Sequence, residues 1–144
     1  MLTVTLTPES REVIERDALE AFPNECCGFL YGHEDNTRNI TFAQPVENVK
    51  DGDQRRRFEI SPKQYLDAER FALTQGLTLL GVYHSHPKHP AYPSEHDRVQ
   101  AIPWFSYLII NAETNHTGDL HSFVLNEARQ FEQQPVISSV PTQL

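Results

Sequence analysis

The sequence predicts a single domain of the α+β type: one mixed, mostly antiparallel sheet flanked by about three helices. Three observations lead there. Segments with helical spacing interleave with short apolar runs of strand length. The early runs, CCGFLYG and RNITFAQPV, are joined by the turn HEDN and read as a hairpin rather than a crossover. The chain has 144 residues, no internal repeat and no dividing linker, which suits one core. Apolar residues make up 38%, below the globular average but well above disorder.

The elements follow in order. LTVTLT alternates as a strand does. Thr7-Pro8 is an N-cap followed by proline at the first helical position, and that helix runs to about Ala21 with Val13, Ile14, Ala18, Ala21 and Phe22 on one side. Pro23-Asn24 stops it. After the hairpin, VKDGDQRRR is a polar loop and FEI a short strand. Ser61 and Gln64 match a capping box; the second helix carries Tyr65, Leu66, Ala68, Ala72 and Leu73 and ends at Gly76. LTLLGVYHSH is the most apolar strand and is expected at the centre. A proline-rich loop leads to a short helix from Ser94. The strands WFSYLII, GDLHSFVLN and RQFEQQPVI complete the sheet. The domain is expected over 1–138, with 139–144 a loose tail.

Charge and cysteine content narrow the function classes. With 20 acidic against 12 basic residues the formal charge is −8, which disfavours nucleic acid and anionic membrane as partners. No apolar run nears the roughly 20 residues needed to span a bilayer, and no secretory signal is visible. The only cysteines, Cys26 and Cys27, are neighbours, a poor geometry for a disulfide. A reducing, cytoplasmic location and two buried core thiols are the reading.

The chemistry is concentrated in YHSHPKHPAYPSEHD, residues 83–97. His84 and His86 sit at i and i+2 of a strand end, so both rings point to one face while Ser85 points away. Imidazole suits zinc, and a carboxylate oxygen is a normal third ligand; Asp97 can supply it from the first turn of the next helix. Pro87, Pro90 and Pro93 stiffen the connection and reduce the entropy lost in holding Asp97 opposite the histidines. Ser94 and Asp97 alone would more often be a capping box than chemistry. The strand-end His-X-His, the rigid loop and the acid at a helix start together favour a metal. Three protein ligands leave a fourth position open, the catalytic arrangement, and a general base must come from elsewhere.

His84-Ser85-His86, seven residues, Ser94, two residues and Asp97 resembles the His-X-His-X7-Ser-X2-Asp signature of the JAMM (MPN+) zinc metalloproteases. NECCGFLYG resembles the bacterial members, with Glu25 where the family places its upstream glutamate. The resemblance implies a JAMM/cytidine-deaminase-like fold. It implies one zinc ion on His84, His86 and Asp97 with water as fourth ligand, Glu25 as general acid and base, and Ser94 as oxyanion donor. It also implies a substrate: an amide bond after the C-terminal glycine of a ubiquitin-like protein. Eukaryotic members carry two insertions that grip ubiquitin, whereas VKDGDQRRR and NAETNHTGD are short here. The compact form resembles peptidases that process sulfur-carrier proteins ending in Gly-Gly. The alternatives are a deubiquitinase-like isopeptidase for another ubiquitin-like modifier and a non-catalytic scaffold, which would not need the full ligand set. The nucleotide-deaminase pattern and His-Glu-X-X-His are both absent. Arg55, Arg56 and Arg57 could hold an acidic face of the carrier, though a solvated loop is the commoner meaning of a charge run. His89 and His96 are expected at the surface, where they could line the cleft. The sequence leaves the oligomeric state open.

Overall fold

The computed structural model describes residues 2–138; the tail expected at 139–144 lies outside the described residues. In chain order the elements are β1 (Val4–Leu6), α1 (Pro8–Ala21), β2 (Cys27–Glu34), β3 (Arg38–Val46), α2 (Pro62–Gln75), β4 (Thr78–Pro87), α3 (Glu95–Gln100), β5 (Ser106–Ala112), β6 (Thr117–Leu125), β7 (Phe131–Gln134) and β8 (Val136–Ser138). The strands form one sheet in the order β7-β6-β5-β4-β2-β3-β1-β8. The β2·β3, β2·β4, β5·β6 and β6·β7 pairs are antiparallel; β1·β3, β1·β8 and β4·β5 are parallel.

The helices start and stop where their caps dictate. Thr7 accepts from the Ser10 N–H, and the Ser61 box is reciprocated by Gln64. Gly76 ends α2 in the left-handed conformation, at φ 67°, that glycine adopts without penalty. Ile14 and Ala18 of α1 pack with Leu30, Ile40, Leu80, Tyr83 and Leu108 on one face of the sheet. Ala68 and Ala72 of α2 pack with Phe29, Tyr31, Val82 and Tyr107 on the other. β4, the expected central strand, is covered on both faces and buried from Leu79 to Pro87, which is why its first half is so apolar.

Four expectations need correction. FEI is not a strand. Phe58 and Ile60 are buried anchors of a loop whose Glu59 carbonyl accepts the Val49 N–H at 3.0 Å, while the Glu59 N–H goes to the Asn48 side chain, Oδ1 at 3.1 Å, instead of to a ladder. WFSYLII begins as a strand only at Ser106, because Trp104 turns the chain at φ 80° and its ring lies under the Arg38 guanidinium at 4.2 Å. On α2, Leu66 and Leu73 face solvent, and small Ala68 and Ala72, flanked by Tyr65 and Phe71, make the contact instead. RQFEQQPVI splits at Pro135 into β7 and β8, which lie at opposite edges of the sheet yet are one residue apart. The sheet therefore curls until its edges meet. Arg38 on β3 reaches Ser106 Oγ on β5 at 3.0 Å, and Ser106 in turn donates to Gln134 on β7 at 2.8 Å.

The curl and the register decide where the chemistry sits. His84 pairs with Cys27 across β2·β4 and with Ile109 across β4·β5. Glu25, just before β2, is thereby carried to the end of β4 that bears the histidines. Gly81 allows that parallel pairing: a Cβ there would lie 1.9 Å from the Ser106 carbonyl oxygen.

Candidate metal centre

His84 and His86 project from β4 to the face shared with Val82 and α2, as their i, i+2 spacing requires. The Ser85 side chain points the other way and is fully buried; its Oγ accepts the Cys26 N–H at 2.8 Å, and its N–H donates to the Cys26 carbonyl at 3.3 Å. One residue of the His-X-His step thus fastens the backbone next to Glu25 while its neighbours face the site. The sequence carried no signal for this link.

The proline loop is held by its own polar groups. The Lys88 N–H donates to the Ala112 carbonyl at 2.8 Å, Asn111 donates to the His89 carbonyl at 2.8 Å, and the Tyr92 N–H donates to the Pro90 carbonyl at 2.9 Å. Pro90 does more than stiffen the loop. Its carbonyl lies 2.8 Å from His86 Nδ1, which fixes the proton there and leaves Nε2 with its lone pair free. The His84 ring is held by stacking on Phe58, centroids 4.5 Å apart, and its Nδ1 is buried without a partner.

The loop delivers Asp97 in the first turn of α3. His84 Nε2 and His86 Nε2 are 3.1 Å apart, and each is 3.2 Å from Asp97 Oδ2. Burial pushes the His84 imidazole below its usual pKa, toward the neutral form. Burial also opposes charge on Asp97, but His84, His86 and the Ser94 N–H hold its carboxyl well below the ordinary range. Two imidazole nitrogens and a carboxylate oxygen therefore meet at one point, and a cation there would take both Nε2 atoms in their unprotonated form. The triangle matches one face of a tetrahedron, whose edges are about 3.3 Å for bonds of about 2.0–2.1 Å to nitrogen and oxygen. These three residues can hold a metal ion.

Ser94 caps α3 and holds Asp97. As N-cap its Oγ accepts the Asp97 N–H at 3.0 Å, while its own N–H donates to Asp97 Oδ2 at 2.9 Å. The cap uses a lone pair of the hydroxyl, so its proton remains free to donate.

Glu25 is buried, and its Oε1 has no partner. Burial, then the Asp97 carboxylate, push it up to about 9, against the pull of Arg57. The polar loop between β3 and α2 encloses it. The Glu25 N–H donates to the Gln54 carbonyl at 2.7 Å, and Asn48 donates to the Glu25 carbonyl at 3.2 Å. Glu25, His86 and Ser94 line one cleft, together with Arg56, His89, Pro90 and Tyr92. Of the residues expected at the surface, His89 lines this cleft and His96 does not, while Arg56 of the arginine run also reaches its wall. Phe58 and Tyr92 had no residue-level signal and Arg56 only that of the arginine run, because their proximity depends on how a loop without regular structure folds back. Cys26 and Cys27 are buried and free.

Comparison with known proteins adds a family and relatives. The sequence model for prokaryotic homologues of the JAB domain matches residues 8–126. A desampylase of Pyrococcus furiosus is 28% identical over 119 residues, spanning 78% of this chain and 75% of that protein. A probable TtuB-protein conjugate cleaving protease of Thermus thermophilus is 31% identical over 125 residues, spanning 87% of this chain and 75% of that protein. A protein of Desulfitobacterium hafniense with a solution structure superposes with a TM-score of 0.83 at 33% identity, over 94% of this chain and 92% of that one.

Proposed function

The chain belongs to the prokaryotic homologues of the JAB domain, and from that premise we propose that it is a zinc-dependent peptidase or isopeptidase for a ubiquitin-like protein. The bond cut is the amide after the C-terminal glycine of a sulfur-carrier-type protein. The observation that carries this reading is the triangle of His84, His86 and Asp97 beside a cleft that also holds Glu25 and Ser94. The relatives named as a desampylase and a conjugate-cleaving protease support the substrate class. The short loops fit a small carrier: the β5–β6 connection is a tight turn closed by the Glu113 N–H to the His116 carbonyl at 2.8 Å.

His84, His86 and Asp97 would hold the zinc ion, whose chemistry there would be to polarise the scissile carbonyl and lower the pKa of water to about 7. Glu25 accepts the proton of the attacking water and passes it to the leaving nitrogen. Water oxygen bonds to the glycine carbonyl carbon, the C–N bond breaks, and the carrier leaves with a carboxylate and its partner with an amine. With a dication held by the ligands, the Glu25 carboxyl would be drawn down from about 9 and could act as a base. The Ser94 O–H donates to the oxyanion while its Oγ keeps the cap.

Cleavage of a Gly-Gly carrier fusion, read by mass spectrometry, should stop on chelation and return with zinc; an intact fusion in the presence of zinc-loaded protein overturns the reading. Ser94→Ala should lower turnover about 10²- to 10³-fold and cost about 1 kcal/mol for the cap. Zinc should stay bound, because the Ser94 N–H that holds Asp97 belongs to the backbone. Steady-state kinetics with metal analysis checks this; loss of zinc would assign the hydroxyl a structural role instead.

A second reading, cleavage of carrier–protein conjugates, is favoured by the Thermus relative described as a probable TtuB-protein conjugate cleaving protease. It shares the site and differs only in the leaving group.

A further inference from the structure

The Glu25 carboxyl has little of its own to hold it: its Oε1 is buried without a partner. A group that must meet one water has then to be positioned through its backbone. Three contacts do this. The Glu25 N–H donates to the Gln54 carbonyl at 2.7 Å, the Glu25 carbonyl accepts from Asn48 Nδ2 at 3.2 Å, and the N–H of the next residue, Cys26, donates to Ser85 Oγ at 2.8 Å. The Ser85 link comes from β4. The other two come from the segment between β3 and α2, which contains no helix or strand. Whatever braces that segment decides how firmly Glu25 is held.

Half-buried Asn48 braces it. A side-chain amide offers two N–H donors and an oxygen with two lone pairs, and here all four are used. Nδ2 donates to the Glu25 carbonyl at 3.2 Å and to the Arg57 carbonyl at 3.1 Å; Oδ1 accepts the Lys50 N–H at 3.0 Å and the Glu59 N–H at 3.1 Å. Lys50 lies at the start of the loop and Arg57 and Glu59 at its end, so one amide draws the two ends together around Gln54. Gln54 in turn donates from Nε2 to the Asn48 and Lys50 carbonyls at 3.0 and 2.9 Å, and gives its own carbonyl to Glu25. Arg57 and Glu59 flank Phe58, whose ring stacks on His84 with centroids 4.5 Å apart. Asn48 therefore reaches Glu25 through one bond and the wall of His84 through two others.

We propose that Asn48 is the positioning residue for Glu25, its amide fixing the Glu25 backbone to the loop that braces His84. This rests on the hydrolase reading above and deepens it. Asn48 is absent from the ligand triangle and from the lining of the cleft, and acts only through Glu25 and the loop. A misplacement of about 1 Å in a reacting group can cost about 10²-fold in rate, so loss of the tether belongs in turnover rather than in substrate binding.

The test compares zinc-loaded parent protein with Asn48→Ala and with Asn48→Ser, which stays polar and uncharged and serves where the alanine variant does not fold. On a Gly-Gly carrier fusion, kcat should fall about 10- to 100-fold while KM and zinc content stay as in the parent. Added to Glu25→Gln, neither substitution should lower the residual turnover further, because the amide acts through that carboxylate. A readout independent of activity is amide hydrogen exchange. The Glu25 N–H should exchange about two- to tenfold faster in the variants, as loss of a supporting hydrogen bond implies, with Leu30 in the core unchanged. Undiminished kcat overturns the assignment. So does the same fold-loss with and without the Glu25 carboxylate, which would make Asn48 merely structural, and so does a lowered kcat with Glu25 exchange unchanged. A parent protein that leaves the fusion intact overturns the hydrolase reading itself, and this role falls with it.

Discussion

Glu25→Gln is expected to keep its metal at full occupancy and to lose about 10²- to 10⁴-fold in turnover, the range that a positioned acid–base group contributes. The amide is nearly isosteric and cannot accept the water proton. Glu25 is not part of the ligand triangle, so the metal should stay. Zinc analysis and single-turnover cleavage on the same sample check both halves. Normal turnover would remove Glu25 from the reaction, and loss of zinc would make it a ligand.

The same substitution has a stability signature in the metal-free protein. The folded carboxyl titrates at about 9, against 4.5 for an ordinary glutamate. As pH rises through 4.5 the unfolded chain releases this proton while the folded chain retains it. The folded state binds more protons, so stability falls with rising pH across the window from 4.5 to about 9. Glu25→Gln should flatten that decline, which denaturant unfolding at several pH values would show. A slope unchanged from the parent would mean that Glu25 is ionised in the folded protein well below 9.

The residues that sequence placed well are those whose position follows from a local period or a fixed loop. His84 and His86 share a face because strand geometry alternates, and Asp97 meets them because three prolines separate a strand end from a helix start. The caps at Thr7, Ser61 and Ser94 were legible for the same reason. What sequence missed is what depends on closure of the sheet. Pro135 parts β7 from β8 with nothing in the local pattern to say that they lie on opposite edges. FEI has strand composition, yet Phe58 is spent as a stacking wall for His84. Arg56 was one of three equivalent charges until a loop tied to Glu25 by Asn48 and Gln54 set it in the cleft.

His84→Ala is expected to lose metal and activity together. The side chain is 1% exposed and stacks on Phe58, so its removal also leaves a cavity, and a lower melting temperature alone would say nothing about metal. The discriminating quantity is the response to added zinc. An ion that binds only the folded state stabilises it by about 2.7 kcal/mol at a hundredfold excess over Kd, which for a domain of this length raises Tm by roughly 5–10 °C. Parent protein should show that rise, and His84→Ala should show none at the same zinc concentration. His89→Ala is the control, since His89 lines the cleft but lies outside the triangle, and it should keep the full rise. A zinc-induced rise that survives in His84→Ala and vanishes in His89→Ala would move the metal out of the triangle and into the cleft. The two imidazoles and the ionised Asp97 oxygen, all within 3.2 Å of one another, would then need a different counter-charge.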